Sequence, residues 1–296
     1  MTVKSFWYGA TLSPLERLCL QSFVTSGISF HLYVYDESLE VPDGVVLKDA
    51  RAIYPEDRVF FYRDGEKRGS VSAFSNLFRY KLLHEMGGWW VDMDVLYTGY
   101  EMPTTDRFFG FQSPNGQINC AIIRLEQGSE IARQCLEAAE QRGTDVSWGE
   151  IGPNLFTRVL RQQDAAKQAV PAEYAYPISW TEALWTYRPT KRIEIEERIA
   201  TARAPFLHLW NEVLSRAGLQ KDIAPPLGSY LDRSSQQFFT PWPVPEPRYR
   251  SASVEKLARQ YDRSQELNVV KAELNSIKGG RVWKAVSSAR SLFLMG

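Results

Sequence analysis

The chain is short of the features that mark secreted, membrane-spanning or nucleic-acid-binding proteins. Its 296 residues contain three cysteines, Cys19, Cys120 and Cys135. They are odd in number and widely spaced, which fits neither a disulfide framework nor a cysteine-based metal site. They are expected to be reduced thiols of a cytoplasmic chain. Charge of one sign is also missing. Thirty-five basic residues balance thirty-five acidic ones, so no global field favours nucleic acid or an anionic surface. No run approaches the ~20 apolar residues needed to cross a bilayer. "MTVKSFWYGATLSPLE" has no apolar segment of the kind a signal peptide needs. A soluble protein, or one peripheral at the inner face of a membrane, is expected.

Aromatic residues, in contrast, are plentiful. They form 13% of the chain, with nine Trp and fourteen Tyr. They suit either an aromatic-rich core or surfaces that stack on bases and sugars. The first fifty residues read as a strand ("KSFWYG"), a helix ("SPLERLCLQSFVTSG") and a second strand ("SFHLYVYD"). Ser13, Pro14 and Glu16 form a capping-box start for that helix, and Gly27 closes it. Strand, helix and strand at this spacing predict a βαβ unit, a parallel sheet and a ligand site at the strands' carboxyl edge. A second helix, "SVSAFSNLFRYKLLHEM", starts at Ser70 or Ser72 and stops at Gly87-Gly88. "WWVDMDVLYTG" reads as a strand, "DRFFGFQS" and "QINCAIIRLE" as two more. "SEIARQCLEAAEQRG" and "GEIGPNLFTRVLRQQD" read as helices, and "RAPFLHLWNE" as a late strand or turn. The expected organisation is a catalytic domain over 1–235, a Pro-rich linker over 236–250 and a helical tail over 251–296.

The chemistry concentrates in "HEMGGWWVDMDVLY". In one extended strand, Trp90, Asp92 and Asp94 would share a face. Two carboxylates about 7 Å apart in a dry site repel. A divalent cation such as Mg²⁺ or Mn²⁺ would relieve this and keep positions open for phosphate and water. A solvated strand end carrying two ordinary acids is the alternative. On the preceding helix, Ser72, Asn76, Arg79 and Leu83 form one stripe. Arg79 is suited to a phosphate or sugar ligand, or to an ion pair with Asp92 or Asp94.

These residues carry a family resemblance. "SAFSNLFRYKLLHEMGGWWVDMDVL" resembles the D-x-D sugar-transferase family 32, in which S-x-x-S-D-x-x-R, a helix and G-G-x-Y-x-D-x-D recur. "NCAIIRLEQGSEIARQCL", "EIGPNLFTRVL" and "FLHLWN" resemble segments of the α-1,4-galactosyl- and N-acetylglucosaminyltransferases of that family. The similarity spans roughly residues 3 to 212. It implies an α/β fold of the GT-A type, a Rossmann-like nucleotide-sugar-binding domain, here with a C-terminal helical extension. It also implies a metal-dependent retaining glycosyltransferase of hexosyltransferase type, with Mn²⁺ or Mg²⁺ and a UDP-linked donor. The acceptor would be a glycan or lipid-linked sugar of a surface polysaccharide.

The resemblance assigns Asp92, Asp94 and Arg79 to catalysis, and Asp94, Asp92 and His208 to the metal. It assigns Trp7, Tyr8, Gly9, Asn76, Arg79, Asp92 and Asn119 to the donor nucleotide and sugar. Gly152, Pro153 and Trp210 fall on the acceptor side, although a Gly-Pro pair also simply opens helices. Two departures stand out: Asn76 replaces the usual acid, and Trp89-Trp90 stands where G-G-x-Y has a smaller aromatic. A sugar-phosphate nucleotidyltransferase and an inactive interaction module of the same fold are the alternatives. "FWYGATLSP" lacks the Gly-rich basic loop of the first, and intact Asp92, Asp94 and Arg79 argue against the second. In the tail, Lys278, Arg281, Trp283, Lys284 and Arg290 precede a short apolar tip. That pattern suits peripheral contact with an anionic bilayer, or a disordered or oligomerising helix. No nucleic-acid partner is expected.

Overall fold

The structure, a computed structural model, describes residues 1–63, 68–112, 116–238, 242 and 247–279. The βαβ unit read from sequence is present. Strand β1 (Thr2–Phe6) leads through helix α1 (Pro14–Val24) to strand β2 (Ser29–Val34), and the strands pair in parallel from Thr2 opposite Ser29 to Phe6 opposite Tyr33. The capping box is formed. The Ser13 backbone N–H donates to Glu16, and the Ser13 hydroxyl accepts from the first-turn backbone. Strand β3 (Val45–Asp49) adds in parallel to β2. The polar stretch that follows forms two short turns of tight helix, at Ala50–Ala52 and Glu56–Arg58.

Helix α2 (Ser72–Met86) is buried on most of its circumference, including Phe74, Phe78, Tyr80 and Leu83. The Ser70 hydroxyl accepts from the Ser72 N–H at its start. At its end the chain turns sharply through Gly87 (φ 60°) and Gly88 (φ 84°) into strand β4 (Gly88–Val91). A side chain at Gly87 would meet the Gln127 backbone nitrogen at 2.4 Å. Only glycine allows both this left-handed turn and this approach.

The strand expected over "WWVDMDVLYTG" is two strands. β4 ends at Val91, Asp92 to Asp94 form a turn closed by Val95 N–H on Asp92 C=O (3.1 Å), and β5 (Val95–Tyr97) departs into a separate sheet. Asp92 and Asp94 therefore do not project from one strand face. The period-2 reading holds only as far as β4. There Trp89 packs on Phe108 and Phe206 in one core, and Trp90 lies in the opposite core.

Strand β6 (Ile122–Leu125) pairs antiparallel with β4. Among the described residues, "DRFFGFQS" makes only isolated bridges: Phe108 with Arg124, Gly110 with Val170 and Phe111 with Ile118. The main sheet has the order β3-β2-β1-β4-β6 and is parallel except for β6. Helices α2, α3 (Glu130–Arg142) and α4 (Leu155–Gln162) cover one face with the core around Phe74, Phe78 and Phe156. On the other face, α1 packs with the segment holding α5 (Ala172–Ala175), α6 (Arg192–Ala202), β7 (Phe206–His208), α7 (Asn211–Arg216) and α8 (Tyr230–Gln237). This is the three-layer α/β arrangement expected of a mostly parallel sheet. Each fully buried Phe or Leu in these cores contributes about 1.5–3 kcal/mol.

The linker expected over 236–250 overlaps the end of α8. Where described, it packs back onto the domain. Trp242 is buried and donates to Lys221 C=O (3.1 Å), and Arg248 bridges to Ala224. The tail begins as helix α9 (Ser251–Gly279). Its first turns dock through Val254, Ala258 and Tyr261, and Glu255 pairs bidentately with Arg188. The tail's start thus has core positions that the sequence reading did not assign. Among the described residues, no helix is long and apolar enough to cross a membrane. The basic and apolar tip from Arg281 onward lies outside the described residues. The three cysteines are buried and unpaired.

Candidate active site

A cleft of about 870 Å³ opens at the carboxyl end of the parallel strands. The topology places its key groups. Trp7 follows β1, and Asp92 follows β4. Strand β7 lies antiparallel to β5 with His208 opposite Val95, and Leu209 N–H donates to Asp94 C=O (2.9 Å). One ligand atom from each of Asp92, Asp94 and His208 thus falls within 4.8 Å of the others.

The two carboxylates are held differently. Asp92 Oδ1 accepts from Trp90 Nε1 (2.7 Å) and from the Arg79 guanidinium (2.5 Å). Its Oδ2 has no donor among the described residues. Burial pushes the Asp92 carboxyl upward; the Arg79 charge opposes this, and the neighbouring Asp94 adds to it. Burial likewise acts to raise Asp94, but it is outweighed. The His208 ring (Nε2 to Oδ1, 3.2 Å), the Asn211 N–H (2.9 Å to Oδ2) and more distant Lys221 hold Asp94 down at about 2. Asp94 is therefore held as an anion near neutral pH, while Asp92 lies in a repulsive, partly desolvated field that the Arg79 charge offsets only in part. His208 Nδ1 is buried without a partner. Two carboxylates and an imidazole, with open space beside them, form a donor set that fits a borderline-hard divalent cation such as Mn²⁺.

Arg79 is almost wholly buried. Its terminal nitrogens reach Asn76 Oδ1 (2.8 Å) and Asp92, and its guanidinium lies 4.9 Å from the centre of the Trp90 ring. The geometry is that of the ion-pair alternative weighed from sequence, with Asp92 as the partner. Asn76 lies between Arg79 and the Cys120 thiol (3.5 Å), where a neutral amide can accept from both.

The remaining expected site residues are distributed as follows. Trp7, Tyr8, Asn119, Pro153 and Trp210 line the cleft. The Trp7 indole nitrogen is buried without a partner, and Gly9 sits behind the ring, where a Cβ would come within 3.3 Å. Tyr8 is more than a third exposed and meets Tyr35 and Phe61 edge-on. Asn119 Oδ1 accepts from Ala121 N–H (2.8 Å), so part of its amide shapes the turn before β6. Gly152 does not face the cleft. It is buried inside a kinked, proline-containing helical turn, where an added Cβ would lie 3.0 Å from the Asn76 amide. Trp210 is in the left-handed region (φ 53°) and mostly buried. Its ring lies 4.1 Å from the His208 ring, tilted by 48°, and its indole N–H donates to Ile178 C=O (3.0 Å). It fixes the imidazole while offering one edge to the cleft.

Several lining residues were not found from sequence. Asn211 caps Asp94 through its backbone, a contact no side-chain pattern encodes. Glu16, read only as a helix cap, is almost fully buried and bonds Lys221 and, at 3.4 Å, the Asn211 side chain, tying α1 to the acid turn. Tyr261 and Gln265 of α9 also line the cleft. Docking of a tail helix there has no local sequence signal.

Residues 124–234 match the model of the alpha 1,4-glycosyltransferase conserved region. The chain is similar to that family over this region. The region runs from the middle of β6 into α8 and contains Pro153, His208, Trp210 and Asn211; Arg79, Asp92 and Asp94 precede it. The chain is 26% identical over 153 residues to mouse (Mus musculus) lactosylceramide 4-alpha-galactosyltransferase, covering 48% of this chain and 42% of that protein. It is 25% identical over 153 residues to the rat (Rattus norvegicus) protein of the same name, covering 48% of this chain and 41% of that protein. The match thus spans less than half the length of these relatives. Among solved structures, the PaToxG glycosyltransferase aligns with a TM-score of 0.41 at 14% identity, over 55% of this chain and 69% of that one. The resemblance to family 32-type glycosyltransferases read from sequence is borne out by this glycosyltransferase region and its galactosyltransferase relatives.

Proposed function

We propose that the chain transfers a hexose from a nucleotide-diphosphate donor, UDP-linked, to a glycan or lipid-linked saccharide acceptor, with retention at the anomeric carbon. One observation carries the reading. Asp92, Asp94 and His208 converge at the carboxyl edge of a parallel sheet, beside an aromatic wall that begins with Trp7. Open α/β sheets bind nucleotides at that edge. Asp92, Asp94 and His208 would hold Mn²⁺ or Mg²⁺, which when bound supplies charge neutralisation on the pyrophosphate. Trp7 would stack on the base. Arg79, through its ion pair, opposes the effect of burial on Asp92 and aims its carboxyl group.

Among the described residues, the carboxylates lining the cleft all have protein partners: Asp92 with Arg79, Asp94 with His208, Glu16 with Lys221 and Glu212 with Arg216. None of these is placed as a free nucleophile. The reading is therefore substitution on one face of the sugar. The bond from the anomeric carbon to the phosphate oxygen breaks, the acceptor hydroxyl oxygen bonds to that carbon, and the hydroxyl proton passes to the departing phosphate.

The name of these relatives makes galactose the first donor to try and an α-1,4 linkage the first product to seek. UDP release from UDP-galactose with Mn²⁺, with and without lactose, tests the reading. Release above a metal-free control supports it, and no release from any UDP-hexose in a panel contradicts it. We also propose a peripheral membrane contact through residues 280–296. Flotation with anionic vesicles, comparing the full chain with one ending at Gly279, tests that separately. Equal recovery would contradict it.

A further inference from the structure

One wall of the cleft is built from side-chain amides joined head to tail. Ala121 N–H donates to Asn119 Oδ1 (2.8 Å), Asn119 Nδ2 to Gln112 Oε1 (2.9 Å), Gln112 Nε2 to Gln117 Oε1 (2.5 Å), and Gln117 Nε2 to Asn154 Oδ1 (2.7 Å). The four side chains line the cleft, running from buried Asn119 to exposed Asn154. A backbone N–H can only donate, so the root at Ala121 fixes which end of Asn119 is oxygen. Each amide then fixes the next. The backbone beneath is also tied. Gln112 N–H donates to Gln117 C=O (2.9 Å), and Ile118 N–H donates to Thr157 Oγ1 (2.9 Å) on α4. The orientations are set before any ligand arrives.

The geometry points to this amide chain as the surface that reads the hydroxyl groups of the donor hexose, with Gln112 and Gln117 as its specificity-determining residues. This rests on the nucleotide-sugar reading above. Asn119, Gln112 and Gln117 each use one N–H and one lone pair within the chain, and Asn154, at its end, uses only a lone pair. The second N–H of each of the first three has no protein acceptor among the described residues. The wall therefore offers paired donors and acceptors without net charge. A sugar hydroxyl both donates and accepts, and matches such a surface. A phosphate would favour cations, and a base would favour the rings around Trp7. Position agrees with chemistry. Asp92 N–H donates to Ala121 C=O (2.8 Å), so the root of the chain is one peptide away from the acid turn. A hexose joined to a diphosphate held at Asp92 and Asp94 lies against it. A site built to hydrogen-bond hydroxyls discriminates strongly against an epimer that leaves its polar groups unpaired.

Calorimetric titration with Mn²⁺ tests this with UDP, UDP-galactose, UDP-glucose and UDP-N-acetylglucosamine on the wild type, Gln112→Met and Gln117→Met. Both positions are half-buried at the cleft and leave the Ala121–Asn119 root intact, and thermal melting reports whether each variant folds. Should Gln112→Met fail to fold, Gln117→Met carries the test. The expected result is a UDP Kd within about twofold of wild type, with the preferred UDP-hexose weakened about 3- to 10-fold and the galactose-to-glucose preference narrowed. An unchanged gain from the hexose in the folded variants overturns the assignment. So does a wild type that binds UDP-hexoses no better than UDP, which leaves the nucleotide reading standing. A wild type that binds no UDP overturns both.

Discussion

At the residue scale, the acid pair is neutralised in two ways. Asp92 has a fixed protein cation, and Asp94 has an imidazole and a backbone N–H. The sequence offered two solutions, a cation and an ion pair with Arg79; the structure forms the ion pair, and the cation is the proposal. Arg79 serves Asp92 Oδ1, while Asp94 and His208 face the same space. Arg79→Met should strand a largely buried carboxylate and lower stability by about 2–4 kcal/mol, less than for a fully enclosed pair because Asp92 keeps 30% of its side chain open. Mn²⁺ should restore part of that loss by replacing the missing charge, so thermal melting with and without the ion checks the pairing. A variant that melts like the wild type, or that Mn²⁺ does not raise, would contradict it. Trp7 belongs to the same scale. Its ring is half-buried at the cleft with Gly9 behind it. Trp7→Ala should weaken UDP binding by about 1–3 kcal/mol, the range for a stacked base. Unchanged affinity in the folded variant would make Trp7 a packing residue only.

At the element scale, the turns that carry the site depend on single residues. Gly87 connects α2, which holds Arg79, to β4, which leads to Asp92. Its positive φ and the 2.4 Å approach to the Gln127 backbone leave no room for a methyl group. Gly87→Ala should cost roughly 2 kcal/mol or more, read as a lower urea midpoint at constant slope; a midpoint equal to wild type would refute the account of this turn. Elements with strong local signals were legible. The Ser13–Glu16 box started α1, the Gly87-Gly88 pair ended α2, and hydrophobic alternation gave β1 and β2. The D-x-D segment misled because its apolar residues alternate straight through the turn. Nothing local says that Val95 to Tyr97 pair with Phe206 to His208, over a hundred residues away, rather than continuing beside β1. "DRFFGFQS" looked like a strand because its phenylalanines are apolar and β-forming. Phe108 and Phe109 are indeed buried, but the segment bonds the sheet edge only through single bridges. The run from Ala172 to Ala202 gave no assignment: the short helical turns at Ala172–Ala175 and Trp180–Tyr187 have no clean period, and α6 buries only Ile195 and Ile199.

At the scale of the whole molecule, the site is assembled from distant parts of the chain. Trp7 comes from β1, Arg79 from α2, the acids from the β4–β5 turn, His208 from β7, and Tyr261 and Gln265 from the docked α9. The motif resemblance named the acids and His208, which the fold brings within reach of one another. The amide wall, Asn211 and the α9 contribution arise from tertiary placement and had no motif to announce them. The central claim is that these parts form a metal-assisted nucleotide site. Asp94→Asn is the most direct probe, because the asparagine oxygen can still accept from Asn211 N–H while the charge facing His208 and the ion is removed. UDP affinity should be measured by calorimetry with Mn²⁺ and with EDTA, on wild type and on Asp94→Asn. The account predicts that Mn²⁺ strengthens UDP binding to the wild type at least tenfold, and that the folded variant loses that gain. Equal Mn²⁺-dependent tightening in both proteins, or UDP binding indifferent to the metal in the wild type, would contradict it.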